Sequence, residues 1–244
     1  MNFSKSWTIA TKDFAIFRQK KTILYTLLAF PLGASLGLPT VLALVVRRKQ
    51  ATFAELVPLT DAFAFFFMIM AVVLATSLAA YSIVGEKTER SLEPLLATPT
   101  EDSEILLGKI LASFLPSFAA TVLGASIFMV FVDLLSRSDL GYYLYPNWTM
   151  GAFLLVAAPL ACLFSVEVNV LVSTQVSDLR AAQQFGGLLV LPFAALYVMG
   201  EIRVLTLNEP TILQVAAGLA VIDVVLFPLM RAAFRREEIL TRWK

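Results

Sequence analysis

Six apolar runs, each about as long as a bilayer is thick, decide what this chain can become. They cover residues 22–46, 59–84, 105–132, 148–172, 185–207 and 210–230. A helix needs ~20 mostly apolar residues to cross the hydrocarbon core. Inside that core a segment must satisfy its own backbone polar groups, which favours helices. The expected fold is therefore all-α and integral to a membrane, with six transmembrane helices in one domain over 1–244. Composition agrees. The chain is 59% hydrophobic and 15% charged, whereas soluble domains are about half apolar and a quarter charged.

The composition also removes whole classes of chemistry. There is no histidine, and the single cysteine, Cys162, lies inside an apolar run. A disulfide framework is impossible, and most zinc or haem sites lose their usual ligand. No metal site is expected. A net charge of +1 gives no electrostatic footprint for nucleic acid.

Residues 2–19 do not read as a signal peptide, because Lys5, Lys12 and Arg18 are spread through them. Phe3, Trp7, Ala10, Phe14 and Phe17 recur at helical spacing, with Lys5, Lys12 and Gln19 elsewhere on the wheel. That pattern predicts an amphipathic helix lying in the membrane interface. In the first span Gly33 and Gly37 form a small-xxx-small pair suited to close helix approach. A bend at Pro31 and Pro39 explains the same residues. Phe63, Phe65, Phe66 and Phe67 in span 2 suggest either lipid-facing packing or an apolar solute. Tyr142, Tyr143, Tyr145 and Trp148 fit an interfacial aromatic belt.

With a cytosolic N-terminus, that side carries most of the 19 basic residues, including Lys5, Lys12, Lys87, Lys109, Arg180 and those of the tail. The other side carries Arg47, Arg48, Lys49, Arg137 and Arg203. The balance predicts a multi-pass protein of the cell (cytoplasmic) membrane with both termini cytosolic.

The polar interruption at 85–104 is the most informative loop. Glu86 and Arg90 are an i,i+4 pair, with Glu89 and Glu93 nearby. Ser91 is placed to cap a short helix with Glu93 in its first turn, where the dipole favours a carboxylate. Pro94 is tolerated there because first-turn N–H groups have no helical partner. Leu92, Leu95 and Leu96 make a small apolar face. Thr98 precedes Pro99 and leaves helical geometry, and Thr100 is placed to cap the next helix. So short a helix is marginal alone and must dock on something.

The run Glu86-Lys87, Ser91-Leu92-Glu93, Leu95-Leu96-Ala97-Thr98-Pro99 and Gly108-Lys109 resembles the first cytosolic loop of type-2 ABC transporter permeases, the exporter-type membrane subunits. Pro94 departs from that pattern, and Ser91 stands where threonine is common. The resemblance covers the whole chain, including a second cytosolic loop at 175–184. It implies that the short helix is a coupling helix docking on a separate ABC ATP-binding subunit. ATP and Mg would sit on that partner, with no cofactor in this chain. Leu92, Leu95 and Leu96 would supply buried contact, and Glu86, Glu89 and Glu93 would meet basic residues of the partner. Asp178 and Arg180 would add a lesser contact, although capping by Asp178 also explains that loop. A second permease chain, identical or related, is implied.

The chain itself carries no G-x-x-x-x-G-K-[ST]: Ser103 stands where the first glycine belongs and Ile110 follows Lys109. No catalytic residues are expected. Glu167 and Asp223 lie within spans, where acids are costly and usually face a cavity or a partner. With Asn169 they are candidates for a polar pathway. They also fit a proton-coupled secondary transporter, the competing function, while a Glu167 that reaches water near the cytosolic end and an Asp223 bonded to a neighbouring helix would explain them without a role in transport. A membrane-embedded enzyme lacks a convincing catalytic set.

Overall fold

The computed structural model describes residues 2–49, 53–89, 91–176, 178–202 and 209–234. Every regular element among them is helical. Helix α1 (Phe3–Gln19) is amphipathic: Ser6, Ile9, Ala10, Asp13 and Phe17 are buried against the bundle, while Phe3 and Trp7 are exposed. An extended Lys20 separates it from α2 (Lys21–Lys49). Then come α3 (Phe53–Thr88), the five-residue α4 (Leu92–Leu96) and α5 (Asp102–Leu140). Six helical segments are long and apolar enough to span a membrane: Lys21–Leu44, Asp61–Thr88, Asp102–Leu135, Trp148–Gln175, Leu179–Gly200 and Pro210–Ala233.

The fourth span is α6 (Trp148–Ala152), a π-helical turn at Phe153–Ala157, and α7 (Ala158–Gln175). The widened turn sits just before Pro159, which has no N–H to give the carbonyl of Leu155. The fifth span joins α8 (Leu179–Leu188) to α9 (Val190–Glu201) through a hitch at Leu189, where Pro192 likewise withholds a donor from Leu188. The sequence reading began this span at Phe185 and counted 175–184 as loop. In the structure Leu179–Gln184 are already helical. Charged Asp178 and Arg180 had masked the start. The last helix is α10 (Glu209–Ala233).

Helix α3 is the axis of the bundle. In its most apolar window 78% is buried, against 17% for the fifth span. Its N-terminal half carries Phe63, Phe65 and Phe67, whose rings pack on Phe128, Phe153 and Tyr197 at 5.1–5.8 Å. These three phenylalanines are buried in the core, while Phe66 is half-buried against Phe30. Tyr145, assigned to an interfacial belt, is also buried, with its ring on Phe128. Trp148 is exposed, as a belt residue would be.

The C-terminal half of α3 meets α7 through small residues. Ala71, Ala75 and Ala79 share a cluster with Ala158 and Cys162. Hydroxyls knit the same seam: Thr76 and Ser165 lie 3.0 Å apart, and Ser165 donates to the Val72 carbonyl at 3.0 Å. Small residues permit close approach, and interhelical hydrogen bonds then hold it, in a setting without a hydrophobic drive between helices. Between α2 and α5 the corresponding contact is Ser35, whose hydroxyl donates to the Gly124 carbonyl at 2.6 Å. Gly33 and Gly37 are not used there: a Cβ on either would meet nothing within 4 Å. Helix α2 runs unbroken through Pro31 and Pro39.

Helix α8 is held on this seam by a missing side chain. A Cβ at Gly186 would stand 2.0 Å from Asn169 Oδ1 and 2.5 Å from Thr76 Cγ2. Gly187 faces open space. Gly186→Ala is expected to cost about 1–3 kcal/mol through overpacking, and Gly187→Ala to be neutral or slightly stabilising. Thermal melting of the two purified variants in the same detergent checks this. Equal melting temperatures would mean that α8 does not pack here.

Candidate functional site

One end of the bundle gathers the chain's chemistry. There α1, the end of α3, α4, the start of α5 and the connector between α7 and α8 come together. At its centre is Lys109, in the second turn of α5. Gly108 lets α1 in: a Cβ there would stand 2.8 Å from the Ser6 carbonyl oxygen. That close approach sets Asp13 beside Lys109.

The Lys109 ammonium is 1% exposed and lies 2.9 Å from Asp13 Oδ2 and 2.7 Å from Glu86 Oε2. It also donates to the Ser82 carbonyl at 2.8 Å. Lys12 reaches the other Glu86 oxygen at 2.6 Å. Two cations thus meet two carboxylates where all but Lys12 are buried. Burial pushes the Asp13 carboxyl above its usual range, and the nearby Lys109 charge offsets only part of that push.

Further contacts fasten α1 along the same end. The backbone N–H of Asn2 donates to Glu104 at 2.6 Å, and Lys5 donates to the Pro99 carbonyl at 3.1 Å. Lys20 pairs with Glu89, which also accepts from the Tyr81 hydroxyl at 2.7 Å. Hydrogen bonds from Lys20 and Tyr81 hold the Glu89 carboxyl below its ordinary range. Both side chains of this pair are exposed to solvent, so it adds little stability.

The loop's expected outward face is turned inward. Leu95 and Leu96 are buried in this chain's own core with Ile9, Ile105 and Phe234. Glu86 and Glu89, expected to meet a partner's basic residues, already have cations from α1 and α5. Exposed instead are Pro94, Ala97, Thr98 and Pro99. Arg90 lies outside the described residues, as do the side chains of Leu92 and Glu93.

Ser91 precedes α4 but does not cap it: its hydroxyl is buried and makes no hydrogen bond. Pro94 occupies the third helical position, so one of the two N–H groups that such a cap could reach is absent. Glu101, rather than Thr100, caps α5, with its N–H donating to Glu104 at 3.1 Å. Thr100 sits against the Thr98 hydroxyl instead, at 2.8 Å.

Lys87 points the other way from Glu86. Its ammonium donates to the carbonyls of Ser173, Thr174 and Val176 at 2.8, 3.0 and 3.0 Å. These are acceptors left over at the end of α7, where a cation also suits the helix dipole. The second connector is thereby tied to the first. Next to it Asp178 stands at the cap position of α8, yet its side chain makes no capping bond. Asp178 and Arg180 are both exposed.

Of the three intramembrane candidates, two come together. Glu167 on α7 and Asp223 on α10 are 4% and 5% exposed. The charge of Asp223 acts on Glu167. Glu167 Oε2 and both Asp223 oxygens have no hydrogen-bond partner. Asn169 is not part of this pair. It faces α3, donating to Thr76 at 3.2 Å and to the Ser165 carbonyl at 2.8 Å.

Lys12, Asp13, Lys87 and Lys109 were not singled out from the sequence as site residues. One signal was available: Asp13 is the only acid in α1. A lone carboxylate amid Lys and aromatic residues asks for a nearby cation.

A family described as ABC-2 family transporter protein matches residues 7–240. No curated protein matches the chain.

Lys109→Ala would leave two carboxylates buried and short of a cation, at a cost of about 3–5 kcal/mol. Glu167→Gln and Asp223→Asn remove charges that have no partner to lose. Both are expected to melt at or above the native temperature. Denaturant unfolding in one detergent orders the three variants. A Lys109→Ala protein as stable as the native one would show that the ionic junction does not hold the end together.

Proposed function

Since the chain belongs to the ABC-2 family of transporter proteins, we propose that it is the membrane-spanning permease subunit of an ATP-driven exporter. Membership makes it a multi-pass membrane transporter subunit and implies association with an ABC ATP-binding subunit. The finer reading is that α4 is the coupling helix on which that subunit docks. ATP and Mg are bound and consumed on the partner. A second permease chain, the same or related, completes a two-fold pathway in the lipid bilayer.

The observation that carries this reading is the construction of the α4 end. A helix of five residues cannot transmit force unless something stiff backs it. Here its leucines are rooted in the core. Its flanks are tied to α1 by Lys12, Asp13 and Lys5, and to α7 by Lys87. What remains outward is a compact surface of Pro94, Ala97, Thr98 and Pro99, with Asp178 and Arg180 across the second connector. The docking contact is therefore assigned to these residues, with Leu95 and Leu96 as its foundation.

ATP-driven closure of the partner would bind this surface differently in two states of the spans. That difference is the only free energy that shifts them. A push on α4 reaches α3 and α5 directly, α1 through Lys109 and α7 through Lys87. The basic residues around this end, Lys5, Lys12, Lys20 and Arg180 among them, support a cytosolic side. Both termini then face the cytosol of a cytoplasmic-type membrane. Glu167 and Asp223 are the pathway candidates, because buried acids without partners mark polar routes through membranes. A proton-coupled mechanism without an ATPase gives the braced α4 no task.

Ala97→Arg and Thr98→Arg are expected to cut recovery of the ATP-binding subunit with the tagged chain at least tenfold. Membrane insertion should stay unchanged for both, and melting temperature for Ala97→Arg, since exposed substitutions usually move stability by less than ~0.5 kcal/mol. Thr98→Arg also gives up the bond to the Leu95 carbonyl at 2.6 Å and is expected to melt lower. Full recovery of the ATP-binding subunit with both variants would overturn the docking assignment.

A further inference from the structure

A cavity of about 220 Å³ opens where α1 turns into α2. Phe14 and Phe17 of α1 form one wall, and Ile23, Leu24 and Leu27 of α2 the other. Leu78 of α3 and Pro116 of α5 close the back. The single polar side chain of the lining is Arg18, which is exposed.

The volume equals the liquid share of about seven waters, at ~30 Å³ each, yet an apolar wall gives water nothing to bond. Apolar cavities of this kind stay dry and accept apolar guests. The elbow lies where the chain leaves α1 and enters its first span. Leu27 is six residues into α2, about 9 Å deeper at ~1.5 Å per residue. The cavity therefore starts at headgroup level and runs toward the acyl region. Arg18 is the one charged residue of the lining, and a purely apolar guest would have no use for it. A lipid tail with an anionic head matches both the wall and the charge. Nearby, Phe3, Trp7 and Phe14 form a contiguous aromatic ridge along α1, with centroids 6.3 Å apart in each pair. Such a ridge is suited to lie among headgroups.

We propose that the elbow cavity is a resident site for one acyl chain of an anionic phospholipid from the surrounding leaflet, with its headgroup held by Arg18. The lipid is a structural ligand drawn from the bilayer. It wedges α1 against α2, and so braces from behind the helix that clamps the α4 end. The proposal does not depend on which protein docks at α4.

Native mass spectrometry of the purified full chain, titrated with dioleoylphosphatidylglycerol or dioleoylphosphatidylcholine, tests it. The native protein should retain one phosphatidylglycerol with about tenfold preference over phosphatidylcholine. Arg18→Gln should erase the preference, and Leu27→Trp, which fills the cavity, should lose both lipids. Three results would each overturn the site: no retained lipid, equal retention of the two lipids by the native chain, or retention by Leu27→Trp equal to native. Should Leu27→Trp fail to fold, the Arg18→Gln comparison alone decides. Arg18 is exposed, and its loss leaves the core intact.

Discussion

Lys109 carries an ammonium into a place where no water reaches it, and the architecture of one end of the bundle follows from that. An isolated buried cation is costly, and pairing repays the cost only if the geometry is good and the remaining donors are used. Lys109 donates to Asp13 and to the Ser82 carbonyl, and Glu86 adds a second carboxylate at ion-pair distance. To deliver Asp13, α1 must lie close against α5, which Gly108 allows. To deliver Glu86, α3 must end at the same level. The junction fixes three elements at once, and two of them flank α4.

Glu86 and Lys87 are neighbours with opposite duties. One faces α1 and α5, and the other closes the end of α7. Because α3 is the most buried span, this adjacent pair makes its end a hub between both connectors. A displacement of α4 cannot stay local when its attachments lead to α1, α3, α5 and α7. Packed interfaces switch between discrete arrangements rather than deform smoothly, so a shift at this end would involve all four helices.

The membrane interior follows a different logic. Along α3 and α7 the polar groups are hydroxyls and an amide that find partners in the neighbouring helix. Glu167 and Asp223 stand apart from this seam, on the side of α7 that meets α10, and lack such partners. Seam and acids thus lie on different faces of α7, one packed on α3 and the other on α10.

Much of this was legible from residues alone. Six spans could be read because the bilayer forces each crossing segment to be apolar throughout and helical. The helical break at Thr98 and Pro99 could be read because proline acts on the local backbone. Where each polar side chain points could not be read. Glu86 finds Lys12, 74 positions away, and Lys109 finds Asp13, 96 positions away, and no local pattern encodes such pairs. Nor does a five-residue helix say who will cover its leucines: Leu95 and Leu96 look alike whether they wait for a partner or sit in their own core. Hydrophobic length is a property of the segment and survives in the sequence. The direction of a buried charge or a leucine face depends on which helices pack beside it, and only the tertiary structure decides that.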